Sequence, residues 1–110
     1  MATSPDTIAF FLEQLEGRGV TARKMFGEYG IYAGGKIVAL ICDDTLFVKQ
    51  LPEARSYLGT PDEAPPYKGA KPHYAISADQ WEDADWLWGL ISLMETHLHL
   101  PKPKARKRKG

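Results

Sequence analysis

Residues 37–42, Ile-Val-Ala-Leu-Ile-Cys, are apolar at every position and lie between Gly34-Gly35 and Asp43-Asp44. Successive side chains of a strand point to opposite faces, so a strand with one wet face alternates apolar and polar. An unbroken apolar run calls for cover on both sides. Gly34-Gly35 suits a two-residue hairpin turn, which makes residues 31–33 the strand before it. Asp43-Asp44 reads as a second turn, leading into a strand at residues 45–49. Residues 20–26 form a further short, partly alternating run. Together these make an antiparallel meander of three or four strands, with residues 73–76 as one more strand further on.

Helices are expected at both ends. Ser4-Pro5 reads as N-cap and first helical residue, and Ile8, Phe11, Leu12 and Leu15 fall on one helical face. Pro52 opens one or two helical turns to residue 58. Ser77 with Gln80 matches a capping box for a long helix over residues 79–97. Its apolar stripe is Leu87, Leu90, Ile91, Met94 and Leu98, flanked by Trp86 and Leu93. The expected fold class is α+β: an antiparallel sheet of four to five strands with the N-terminal and C-terminal helices packed on one face. Two helices on one face leave the other side of residues 37–42 to be covered. The candidates are the Pro-rich loop 59–72, a Trp of the last helix, or a second copy of the chain.

The 110 residues suit one domain, expected over residues 1–101. Lys102, Lys104, Arg106, Lys107, Arg108 and Lys109 hold six of the fourteen basic residues, so eight remain against fourteen acidic ones elsewhere. The picture is an acidic body with a cationic tail, residues 102–110, expected to be disordered. An acidic body argues against a broad nucleic-acid face. No run approaches the roughly 18 apolar residues of a membrane span, and residues 1–10 lack a signal-peptide pattern. With Cys42 as the one cysteine, no internal disulfide can form, and a cytoplasmic location is expected.

The strand region contains Arg23-Lys24-Met25-Phe26-Gly27-Glu28-Tyr29-Gly30-Ile31-Tyr32, then Gly35-Lys36, Ala39-Leu40-Ile41 and Leu46-Phe47-Val48-Lys49. This resembles the N-terminal domain of the TfoX/Sxy competence-regulator family. The later Tyr74-Ala75-Ile76 and the Trp-rich last helix sit where that family has them, and the resemblance spans about residues 5–98. It implies a non-catalytic regulatory or protein-interaction domain. Full-length members are similar to positive regulators of natural-transformation genes that act with a cyclic-AMP receptor protein. They carry a C-terminal helix-hairpin-helix-like domain, where this sequence has its basic tail.

Candidate contacts follow from the same residues. Arg23, Lys24, Phe26 and Tyr29, beside a glycine-rich bend, are candidates for a partner or anion contact; the plainer reading is solvated cations, one of them paired to Glu28. Gly27 and Gly30 match no phosphate-loop pattern and read as backbone devices. His97 and His99 lie about 200° apart on a helix, which argues against a shared metal. Cys42, beside two carboxylates, reads as structural rather than nucleophilic. No catalytic, metal or cofactor site is expected. The partner is expected to be a protein, with the transcription machinery as one candidate, or a second copy through the sheet.

The tail residues Lys102, Lys104, Arg106, Lys107, Arg108 and Lys109 are the alternative: a sequence-blind nucleic-acid contact, without aromatics for base stacking. A variant ending at Pro101 should melt at the temperature of the full chain, since residues 102–110 have no large apolar groups to bury. If the tail binds duplex DNA, six phosphate contacts give a log–log salt slope of at most about −5. A gel shift insensitive to salt would contradict that.

Overall fold

The computed structural model describes residues 3–25 and 28–98. The apolar run becomes the third strand of a six-stranded antiparallel sheet. In chain order the elements are α1 (Pro5–Gln14), β1 (Val20–Met25), β2 (Glu28–Ala33), β3 (Lys36–Cys42), β4 (Thr45–Val48), α2 (Pro52–Leu58), β5 (Asp62–Ala64), β6 (His73–Ser77), a 3-10 turn (Ala78–Glu82) and α3 (Ala84–His97). The sheet order is β1-β2-β3-β4-β6-β5. One strand more than expected is present, because β5 forms inside the Pro-rich segment by pairing Glu63 with Tyr74.

Both tight turns of the meander need positive φ. Gly34 and Gly35 supply it freely at 61° and 81°. Asp43 and Asp44 adopt 51° and 60°, a conformation Asp tolerates better than most residues.

The helical layer follows the expected faces. Ile8, Phe11 and Leu15 of the first helical segment are buried, as are Leu87, Leu90, Ile91 and Met94 of α3. They pack on Ile31, Ile41, Leu46, Val48 and Ile76 of the sheet. Ser4 caps α1 by accepting from the Asp6 and Thr7 amides.

The last helix differs from its expected form. The Ser77–Gln80 capping box is absent; Ser77 makes no cap bond and its hydroxyl donates to Asp79 Oδ1 instead. The chain makes a 3-10 turn over Ala78–Glu82, breaks at Asp83, and restarts with Asp83 accepting from the Trp86 amide. That break frees Trp81 from the helical spacing of Trp86 and Trp88. Trp81 is fully buried, edge-on to Phe11 at 5.2 Å between ring centroids. Gln14 holds this turn by donating to the Trp81 and Glu82 carbonyls. Trp86 stacks on Tyr57 of α2, and Trp88 lies under the Arg18 guanidinium.

Leu90 is completely buried between α3 and the sheet. Leu90→Ala should therefore cost about 2–5 kcal/mol in chemical denaturation. A midpoint equal to that of the parent chain would contradict this packing.

Candidate partner-binding face

Register places a continuous row of residues on the face away from the helices. Arg23 pairs with Gly30, Gly30 with Leu40, Leu40 with Phe47, and Phe47 with Ala75. Directly paired residues share a face, so this row crosses five strands. Beside it Tyr32 pairs with Ile37.

Strict alternation would send Ile37 to the helical side with Ala39 and Ile41. A register shift between Ile31 and Tyr32 prevents this, because Ile31 faces Ala39 while Tyr32 faces Ile37. Val38 is the extra residue of the bulge. Val38 and Ala39 are both buried, and Ile37 emerges on the open face with 42% of its surface exposed. Gly30 makes room for it: a Cβ there would stand 3.0 Å from Ile37 Cδ1 and 3.2 Å from Met25 Cε.

The segment after β5 covers part of this face. Pro66 is buried, and Tyr67, Ala70 and Lys71 form a wall opposite Leu40 and Phe47. Tyr67 itself is 61% exposed. Two cavities, about 330 and 430 Å3, lie on either side of it and share Leu40 and Tyr67 in their linings. The first also reaches Lys49, Lys71 and His73; the second reaches Met25, Glu28 and Cys42. The Pro-rich loop is thus a partial cover, and the Trp residues of the last helix take no part in lining either cavity.

The anticipated contacts divide between the two faces. Arg23 lies on the open face, its guanidinium 5.4 Å from the Tyr32 ring centroid. Lys24 pairs with Tyr29 on the opposite side, where Tyr29 packs against the core while also bordering the second cavity. Phe26 and the six tail residues lie outside the described residues, as does His99. His97 lies 3.7 Å from the Glu53 carboxylate. Among the described residues no three His, Cys, Asp or Glu side chains gather as metal ligands would.

Glu28 does not pair with Arg23 or Lys24. Its carboxylate accepts from the Thr3 amide at 3.0 Å, the Thr3 hydroxyl at 2.6 Å and the Asp43 amide at 3.3 Å. The Thr3 hydroxyl in turn accepts from the Asp44 amide. This clasp ties the N-terminal segment to the β3–β4 turn, and nothing in the spacing of Thr3 and Glu28 announced it. Burial, then the Glu28 charge, then Asp43 push the Cys42 thiol up to about 11, which keeps it protonated at neutral pH. Ile37 belongs to the apolar run expected to need cover, whereas Tyr67, Lys49, Lys71 and His73 are not foreseen as site residues. The visible signal was a lone Tyr in a segment otherwise poor in large apolar groups.

The sequence that forms this sheet matches one known family. The TfoX N-terminal domain matches residues 12–94, a span containing all six strands. This chain belongs to the TfoX N-terminal domain family. The uncharacterized 12.7 kDa protein in the trpE 5′ region of Spirochaeta aurantia is 34% identical over 110 residues. The alignment covers 99% of this chain and 95% of that relative. No described helix of this TfoX N-terminal domain is long and apolar enough to cross a membrane.

The thiol gives a pH test. A folded pKa of about 11 against 9.0 unfolded means stability is intact below pH 9 and is lost as pH rises towards 11. Burial also raises the Tyr57 pKa, so the phenol adds to the same alkaline loss. Cys42→Ala should flatten part of the fall in denaturation midpoint across this window. An unchanged alkaline limb would contradict the assignment.

Proposed function

We propose that this TfoX N-terminal domain is a non-catalytic, regulatory protein-interaction module whose contact surface is the open face of the sheet. One observation carries the reading. Ile37 and Tyr67, the large hydrophobic residues left exposed among those described, both border the same apolar cavity. Single exposed apolar residues are ordinary, whereas a grouped apolar patch marks a contact site. The protonated, buried Cys42 thiol is a poor nucleophile and supports a role without covalent chemistry. A lone thiol also suits the reducing cytoplasm, the location we assign.

The occupant we assign is a second copy. A two-fold contact is self-complementary, so Ile37 of each copy can enter the concavity beside Tyr67 of the other. Regulation then follows from competition or cooperation between this contact and another protein partner on the same surface.

Light scattering over roughly 1–100 µM, where modest interfaces dissociate, should show the mass rising from one chain to two. Ile37→Lys should raise the dissociation constant about ten-fold or more, because its ammonium would be buried beside Lys49 and Lys71, which carry the same charge. A single-chain mass at every concentration would remove self-association from the reading. A dimer untouched by Ile37→Lys would move the interface elsewhere.

A further inference from the structure

The cavity of about 330 Å3 beneath Tyr67 has two chemically different ends. One end is apolar, formed by Ile37, Leu40 and Phe47 under the Tyr67 ring. At the other end stand Lys49, Lys71 and His73, which also line the adjoining depression by Leu51. His73 Nδ1 lies 2.9 Å from the Lys71 carbonyl oxygen. A carbonyl can only accept, so Nδ1 carries the proton and Nε2 is the ring's other hydrogen-bonding atom.

These cations are not used by the fold. The ion pairs among the described residues are Arg18–Asp85 and His97–Glu53; neither involves Lys49 or Lys71. Glu63, paired with Tyr74 on β6, accepts from Gln50. Two unpaired ammonium groups beside an apolar wall form an amphipathic receptor. The volume is at the small end of the range for small-molecule sites, about 300–1,000 Å3.

We propose that this cavity binds a small amphipathic carboxylic acid. Its apolar body rests on Leu40 and Phe47 beneath Tyr67, and its carboxylate meets Lys49 and Lys71. Charge excludes the nearest competitor within the chain, because the tail carries six like-signed residues and is repelled by both lysines. A bare inorganic anion would leave the apolar wall unused, and a neutral apolar molecule would leave both lysines without a counter-charge. The site shares Ile37 and Tyr67 with the protein-contact surface and rests on that reading only in requiring an open face; a second copy seated there would compete with the acid, which a monomer binds.

The test compares 2-naphthoate with its uncharged analogue 2-naphthamide, titrated into the full chain and followed by backbone amide shifts. Naphthoate should saturate, with shifts concentrated at residues 37–40, 47–49 and 67–73. Lys49→Gln with Lys71→Gln should weaken naphthoate about ten-fold while changing naphthamide less than about two-fold, since the lost interaction is with charge. Both lysines are exposed, and Lys49→Arg with Lys71→Arg keeps the charge and should restore binding. Equal affinity for acid and amide, shifts centred elsewhere, or binding unaltered in the double Gln variant would each overturn the proposal. So would the absence of saturation by about 10 mM, weaker than any useful site of this size. Self-association is read from mass by light scattering and acid binding from saturating amide shifts, so each can fail without the other.

Discussion

The need to shield β3 from water on both faces governs the rest of this fold. On the helical side, Ala39 and Ile41 meet α3 and the neighbouring strands. On the other side, Tyr67 and the segment around it cover part of Leu40 and Cys42. The bulge at Val38 reconciles these demands with the charged residue that starts the strand. Without it Lys36 would be carried to the open face and Ile37 to the core. With it, the Lys36 ammonium donates to the Leu98 carbonyl at the end of α3. The same shift that anchors the last helix also exposes Ile37. Structural closure on one face and an apolar surface on the other have one cause.

The helical layer is closed by a second local irregularity. A continuous helix from residue 79 would carry Trp81 on the same face as Trp88, seven residues later. Breaking at Asp83 lets Trp81 turn inward against Phe11 while Trp88 stays near Arg18. The Trp81 indole N–H has no acceptor among the described residues, a cost of about 1–3 kcal/mol. Its ring contacts with Phe10 and Phe11 offset part of that. Gln14 secures the carbonyls on either side of the break, so α1 and α3 are joined by a polar link as well as by packing.

Periodicity made the regular parts legible. The faces of α1 and α3 and the two turns of the meander follow from spacing and from Gly-Gly and Asp-Asp pairs, because those features act within a few residues. What escaped depends on pairing between distant segments. β5 exists only because β6 lies beside it, and three residues carry too little pattern to declare a strand. The bulge at Val38 is invisible in a run where every residue is apolar, since alternation has nothing to reveal. Arg23 and Tyr29 sit six residues apart, yet register against β2 sends them to opposite faces. The Lys49–Lys71–His73 group combines a strand end with a loop 22 residues later, a juxtaposition that only the β4–β6 pairing creates.

Net charge misleads about this protein for a related reason. The body is acidic, but many of its carboxylates act within the fold. Asp83 caps α3, Asp6 and Asp85 occupy first helical turns where the dipole favours them, and Asp44 accepts from the Ser4 amide. Glu28 is occupied by Thr3 and Asp43. Charges held this way face backbone amides. The cations are distributed differently: Arg23 lies over Tyr32 on the open face, and Lys49 and Lys71 border its cavity. The border of the first cavity therefore has the opposite sign to the body's total. An acidic ligand can be attracted to an acidic protein when the attraction is decided within a Debye length of the site, about 8 Å at physiological salt.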